Sequence, residues 1–175
     1  MARATGRLGA AGAQYARCVA DAHETDTRPV IVGIDGSPTS VAALACAAEL
    51  AHAAELAHAA GAPIIVVHVR HVATLAALQP GAGAQMPGVL DEIENDSRRA
   101  AEDALADAGV TWSFEVRDGL PAQQLVAAAT EHDARVIVVG SLGHTAVTSA
   151  LLGSVAAELL RHAPQSMFIV RPSRT

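Results

Sequence analysis

Residues 136–143, Val-Ile-Val-Val-Gly-Ser-Leu-Gly, decide how this chain folds. The four β-branched apolar residues predict a strand buried on both faces, as in a parallel sheet. The strand leads directly into glycines at 140 and 143, which allow close backbone approach and positive φ at little steric cost. A Gly-Ser pair follows at 153–154, ahead of an apolar helical stretch. Backbone N–H groups at such a turn and at a helix start attract phosphate, so the segment predicts a phosphate-binding site.

Apolar strand-like runs alternate with alanine-rich helical stretches along the rest of the chain. This alternation predicts an α/β fold: a doubly wound five-stranded parallel sheet with helices on both faces and right-handed crossovers. We expect strands near 29–34, 63–69, 111–117, 135–139 and 166–171, and helices near 38–60, 89–108, 121–133 and 148–162.

The composition excludes several classes of protein. The 175 residues carry a net charge of -6 and include no lysine, which argues against a nucleic-acid-binding surface. No apolar run approaches the roughly 18 residues that cross a bilayer, so no membrane partner is expected. The two cysteines have no metal-binding or redox spacing and fit a reducing compartment. We therefore expect a cytoplasmic protein without a native metal site.

The Gly-x2-Gly-x9-Gly-Ser spacing resembles the motif of the nucleotide-binding branch of the universal stress protein family. Residues 30–40 resemble the first strand and loop of that family, and residues 64–69 resemble its second strand. The resemblance covers residues 29–172 in one register. It leaves 1–28 as an expected flexible N-terminal extension and 29–175 as a single domain.

This resemblance implies the strand order 3-2-1-4-5. Strands 1 and 4 are then neighbours whose chains leave in opposite directions, and the crevice at their carboxyl ends is the expected ligand site. Asp35 ends strand 1 and Gly140 ends strand 4, so topology and motif select the same place. A carboxylate there can accept hydrogen bonds from ribose hydroxyls or an adenine amino group, or else cap the following turn.

The nucleotide-binding set that the resemblance implies comes from three loops. Its members are Gly33, Ile34, Asp35, Ser40, Val69, Gly140, Ser141, Gly143, His144, Gly153, Ser154 and Val155. Ser40 has two interpretations, a helix cap or a phosphate contact, and Ser37 is expected as a cap. His144 stands where relatives often carry a basic residue, so it would bind phosphate more strongly when protonated. A bulky residue at 140 or 143 is expected to abolish binding with the fold intact.

The sequence favours a regulatory protein that binds ATP, with Mg²⁺ on the phosphates. The alternatives are a cyclic-AMP-binding protein of the same fold, a slow ATP-hydrolysing or adenylyl-transferring enzyme, and a dimeric interaction protein without a ligand. Hydrolysis is expected to be weak at most, because the chain has neither a P-loop lysine nor an evident general base. No catalytic residue is therefore assigned.

The last strand, near 166–171, would form an edge of the sheet, and exposed edges tend to be covered or paired. The family resemblance implies that this strand pairs across a twofold axis in a homodimer. The bound nucleotide would then alter the dimer surface and the choice of an unidentified protein partner.

Overall fold

The computed structural model describes residues 27–57, 62–71, 86–143 and 152–171, with no side-chain description for 53–57 and 86–87. Strands and helices alternate strictly along these residues. In chain order they are β1 (Val30–Ile34), α1 (Pro38–Ala57), β2 (Ile64–Arg70), α2 (Met86–Leu105), β3 (Trp112–Asp118), α3 (Pro121–Glu131), β4 (Val136–Gly140), α4 (Ser154–His162) and β5 (Ser166–Val170). Among these helices, none is long and apolar enough to cross a membrane.

The strands form one parallel sheet in the order β3-β2-β1-β4-β5. This order confirms the predicted fold class and topology. Each strand also lies within one residue of its predicted bounds. The central strand β1 pairs on both sides, with Ile31 opposite Ile65 of β2 and Ile137 of β4. The carboxyl ends of β1 and β4 therefore lie side by side, as the strand order requires.

The helix predicted near 148–162 was placed too early, because α4 begins at Ser154. Leu152 and Gly153 precede the helix in non-helical conformation, and Gly153 has φ −73° and ψ 164°. The amide of Gly153 donates to the carbonyl of Ser141 at 2.6 Å instead of joining a helical turn. A tertiary hydrogen bond thus fixes where this helix starts.

The sheet is buried on both faces. Along β1, Val30, Val32 and Ile34 pack with α1 and α2, whereas Ile31 packs with α3 and α4. Full burial of each such side chain is worth about 1.5–3 kcal/mol relative to exposure. The helices contribute many small residues to these two cores, and the buried alanines in the described part of α1, residues 38–52, are Ala43, Ala47, Ala48 and Ala51.

Two strand glycines determine how closely the helices approach the sheet. A Cβ atom at Gly33 would lie 3.0 Å from Leu125 Cδ1 of α3. A Cβ atom at Gly140 would lie 2.6 Å from Thr39 Oγ1 and 2.8 Å from the amide nitrogen of Ser40. The second contact is with helix backbone, which cannot rotate away as a side chain can. Gly140 is therefore required for the packing of α1, and the expectation that a bulky residue there leaves the fold intact is revised.

We predict that Gly140→Ala lowers the free energy of unfolding by about 1–3 kcal/mol, the usual cost of forcing an extra methyl group into a packed site. Urea denaturation followed by circular dichroism measures this change. The matched control is Gly88→Ala in α2, where a new Cβ meets nothing within 4 Å. That variant should gain up to about 1 kcal/mol from helix propensity. Equal stability of Gly140→Ala and the unaltered protein would contradict the packing assignment.

Candidate functional site

A cleft of about 790 Å³ lies at the carboxyl ends of the central strands. Its floor comes from the ends of β1, β2 and β4, and its sides include the first turns of α3 and α4. Helix α2 adds Leu90, Ile93 and Asp96 to the lining. The cleft therefore occupies the topological switch point, where open parallel sheets bind their ligands.

The turn between β1 and α1 places Asp35 at the cleft. Its Oδ1 accepts a hydrogen bond from the amide of Ser37 at 2.9 Å, and the intervening Gly36 has φ 82°. Ser37 Oγ accepts from the amide of Ser40 at 3.3 Å, which confirms the predicted helix cap. Pro38 takes the first helical position, where its fixed φ suits the helix. The carboxylate is thus held at the end of a rigid turn.

Ser40 faces inward and belongs to the same turn. It is 4% exposed, and its hydroxyl donates to the carbonyl of Ser37 at 2.9 Å. The same oxygen lies 3.4 Å from the amide of Asp35. This geometry favours the cap-and-turn interpretation of Ser40 over a phosphate contact by its hydroxyl.

Three elements hold the turn at residues 141–143. The amide of Ser141 donates to the carbonyl of Val170 in β5 at 2.7 Å, and the Ser141 carbonyl accepts from Gly153. The hydroxyl of Thr39 in α1 donates to the carbonyl of Leu142, and Ser37 Oγ lies 3.4 Å from the same oxygen. The turn is therefore connected to β5, α4 and α1 at once.

Ser141 is consequently committed to this framework. Its side chain is 2% exposed, its amide bonds Val170, and it does not line the cleft. The expectation that its hydroxyl and amide meet phosphate is not supported by this arrangement.

Gly143 and Gly153 bring the parts of the site into contact. A Cβ atom at Gly143 would lie 2.7 Å from Asp35 Oδ2. One at Gly153 would lie 3.5 Å from the amide nitrogen of Gly143. Neither glycine has positive φ, so the sequence argument from left-handed backbone does not apply to them. Close approach alone explains both glycines.

The start of α4 is an uncapped helix N-terminus. Gly153 is its N-cap and provides no side-chain hydrogen bond. The amides of Ser154 and Val155 lie in the first turn, where a helix has no acceptor for its N–H groups. Partial positive charge collects there and favours an anion.

The end of β2 and the residue after it contribute five consecutive residues to the lining, at positions 67–71. His68 is 3% exposed, and its Nδ1 lies 3.2 Å from the carbonyl oxygen of Ile34. Burial lowers the pKa of the His68 imidazolium, against the hydrogen bond to Ile34 and the negative charges of Glu94 and Asp35, which raise it. The ring is therefore neutral near pH 7.

Arg70 is the arginine of the described cleft lining, and it is already paired. Its Nε lies 3.0 Å from Asp118 Oδ1, and its NH1 lies 3.8 Å from Glu94 Oε2. These carboxylates reduce the positive charge that Arg70 can offer to a ligand.

Most of the sequence-predicted site residues meet in this cleft. Those that line it are Gly33, Ile34, Asp35, Ser40, Val69, Gly140, Gly143, Gly153, Ser154 and Val155. His144 lies outside the described residues. Sequence reasoning missed Thr39 and His68, and it missed the lining residues of α2 and α3. His68 stands beside the predicted Val69, whereas nothing in the pattern around Thr39 indicates its bond to Leu142, 103 positions away.

These features define an α/β protein with an open parallel sheet and a ligand cleft at its switch point. Residues 26–171 match the model of the universal stress protein family. The chain therefore belongs to the universal stress protein family.

Individual relatives agree with this assignment. A universal stress protein of Mycolicibacterium smegmatis is 34% identical over 149 residues. That match covers 81% of this chain and 47% of the relative, so the chain spans about half of the relative's length.

Solved structures show the same fold. The universal stress protein UspA of Lactobacillus plantarum superposes with a TM-score of 0.66 at 19% identity, covering 83% of this chain and 98% of UspA. A universal stress protein solved in complex with cAMP has a TM-score of 0.56 at 27% identity. The match covers 83% of this chain and 98% of the chain in that structure.

We predict that protonation of His68 destabilises the fold. Burial lowers its pKa below the ordinary value of 6.5, so in mild acid the unfolded chain binds this proton more readily than the folded protein does. The contribution of His68 to stability is thus complete above about pH 6.5 and falls as the pH drops below that value.

Urea denaturation from pH 7.5 to pH 5, with His68→Asn as reference, checks this prediction. Asparagine retains a donor toward Ile34 but does not titrate, and all other ionisable groups are shared. The stability difference between the two proteins should shrink as the pH falls. A stability difference between the two proteins that does not change with pH would contradict the lowered pKa of His68.

Proposed function

We propose that this protein binds an adenine nucleotide, ATP with Mg²⁺, in the cleft and acts as a nucleotide-dependent regulator. One observation carries the proposal: the carboxylate of Asp35 and the N-terminus of α4 both reach the backbone of Gly143. A nucleotide needs both kinds of group within a short distance, an acceptor for its hydroxyls and donors for its phosphates.

The residues divide by chemistry. Asp35 accepts hydrogen bonds from the ribose, because a carboxylate after the strand is the usual partner of such hydroxyls. The amides of Gly143, Ser154 and Val155 face the phosphates at the positive end of α4. Val69, at the end of β2, contacts the adenine. The relative that was solved in complex with cAMP supports an adenine nucleotide as the ligand class.

In this proposal Mg²⁺ is held chiefly by phosphate oxygens and water, as is usual for nucleotide-bound magnesium. No group of three or more His, Cys, Asp or Glu side chains in the described part of the chain could hold a metal ion. The metal would therefore arrive with the nucleotide.

Cyclic AMP is the second candidate ligand, and the charge of the lining favours it. The described lining contains the carboxylates of Asp35, Asp96 and Glu158, whereas its arginine, Arg70, is already paired with Asp118 and Glu94. A single phosphate charge is less repelled by such a lining than a triphosphate. Calorimetric titrations with ATP, with and without Mg²⁺, and with cAMP compare the two ligands directly.

The proposed output is regulatory rather than catalytic. The chain contains no lysine to serve as the phosphate-binding lysine of a P-loop. The hydrogen bond between Ser141 and Val170 links the turn at the phosphate end to the edge strand β5. A ligand that shifts this turn would therefore shift β5, and with it the surface offered to a partner. Cytoplasmic location stays a prediction.

A homodimer through β5 is part of this proposal. The strand is at the edge of the sheet, and Phe168 on it is 45% exposed. Leu160 of the neighbouring α4 is 57% exposed. Large exposed apolar side chains beside an unpaired strand edge favour association with a second copy.

We predict that Asp35→Ala weakens ATP or cAMP binding by about 1–3 kcal/mol, the usual loss when hydrogen bonds to a charged group disappear. Isothermal titration calorimetry measures the change. The matched control is Asp107→Ala, a carboxylate in the turn that follows α2, which does not line the cleft. If Asp35→Ala and Asp107→Ala bind the nucleotide with equal affinity, Asp35 stabilises the turn and does not contact the ligand.

We predict that Phe168→Glu shifts the protein from dimer to monomer, because it places a charge in the apolar edge. Analytical ultracentrifugation over a range of concentrations measures the association. The control is Leu120→Glu, an apolar residue that is 50% exposed and follows β3, the strand at the opposite edge of the sheet from β5. An unchanged dimer in Phe168→Glu, or a monomeric parent protein, would exclude the β5 interface.

A further inference from the structure

His68 holds its ring in a defined orientation at the cleft. The fifth residue of β2, it lies opposite Ile34 of β1 in the sheet register. Its ring is nearly parallel to that of Phe114 in β3, at 13° and 6.5 Å between centroids. The guanidinium of Arg98 lies 4.2 Å from the centroid of the Phe114 ring. The imidazole is therefore fixed by its neighbours in β1 and β3.

The hydrogen bond to Ile34 decides which tautomer is present. A carbonyl oxygen only accepts hydrogen bonds, so Nδ1 must carry the proton and donate it across 3.2 Å. In a neutral imidazole the other nitrogen, Nε2, is then an acceptor. Because Nδ1 donates to the backbone of β1, the one hydrogen bond that the His68 ring can still make is one that Nε2 accepts.

Nε2 is available for that function. Within the described residues no protein group bonds it, and the buried side-chain atoms that lack a partner there are Ser97 Oγ and Gln165 Oε1. Nε2 is therefore not sealed in the core, and His68 belongs to the lining of the cleft. A ligand group that fills this part of the cleft meets an acceptor.

We propose that His68 determines base specificity by accepting a hydrogen bond at Nε2 from the exocyclic amino group of adenine. This inference rests on the proposed nucleotide site and adds a residue to it. Hypoxanthine carries a carbonyl oxygen in place of that amino group. Two acceptors would then face each other without a proton between them, and a site built around a hydrogen bond discriminates strongly against such a ligand.

The charged groups around the ring set the pH at which this selection fails. Asp35 in the β1–α1 turn and Glu94 in α2 stabilise the imidazolium, whereas Arg70 opposes it and burial opposes it most. Arg98 of α2 adds positive charge above the neighbouring Phe114. Protonation makes Nε2 a donor, which suits the carbonyl of hypoxanthine and not the amino group of adenine. The preference for adenine should therefore decline only when the pH falls below the pKa of His68 in the folded protein, which burial holds under the ordinary value of 6.5.

Calorimetric titration of the full chain with ATP and with inosine triphosphate at pH 7.5 tests the proposal. The two ligands have the same phosphates and ribose, so their affinity ratio reports the base alone. We expect the unaltered protein to prefer ATP by about tenfold or more. His68→Asn keeps a donor for Ile34 and removes the ring acceptor, so the ratio should fall to within about threefold of unity.

Each outcome has a separate meaning. If neither nucleotide binds the unaltered protein, this inference fails, and the proposed function fails with it unless the protein binds cAMP. If ATP binds but His68→Asn leaves the ratio unchanged, the proposed function survives and the role of His68 is overturned. Should His68→Asn fold poorly, the unaltered protein still decides the matter. An affinity ratio of ATP to inosine triphosphate within about threefold of unity in the unaltered protein at pH 7.5 overturns the inference.

Discussion

The contact between the end of β4 and the start of α1 is the constraint on which the site depends. Gly140 lets the backbone of Thr39 and Ser40 approach to a distance that leaves no room for a Cβ atom. The same approach brings the hydroxyl of Thr39 to the carbonyl of Leu142. One close contact therefore fixes the first turn of α1 against the turn after β4. Asp35 and the turn at residues 141–143 are held together at the cleft as a result.

The core on both faces of the sheet is built largely from small and β-branched residues, which allow the helices to pack this closely. The strands are buried by helices on both faces, so their carboxyl ends form a rigid edge on which the loops are mounted. The alanines of α1 allow this helix to lie close to the sheet. In open α/β folds, the strands usually form a rigid scaffold and the loops at their carboxyl ends bind the ligand.

The cleft combines opposite electrostatic features over a short distance. The N-terminus of α4 attracts an anion, whereas Asp35, Asp96 and Glu158 repel one. A ligand with a phosphate at one end and hydroxyl or amino donors at the other satisfies both features. His68, neutral and oriented by Ile34, adds an acceptor without adding charge. In the proposed site, selectivity depends on where donors and acceptors meet, more than on net attraction.

The sequence by itself determined the strands to within one residue, the fold class and the place of the cleft. Apolar runs and helical periodicity act over a few residues, and the carboxyl ends of parallel strands must share an edge. Only the tertiary structure decided that the Ser141 amide bonds β5, that Gly140 serves the packing of α1, and that the Ile34 carbonyl orients the ring of His68. Such roles depend on contacts between distant segments, like the one that joins Thr39 to Leu142 across 103 positions. A local sequence pattern does not reveal these roles. Close packing of distant segments decides which backbone and side-chain groups bond one another and which remain for a ligand.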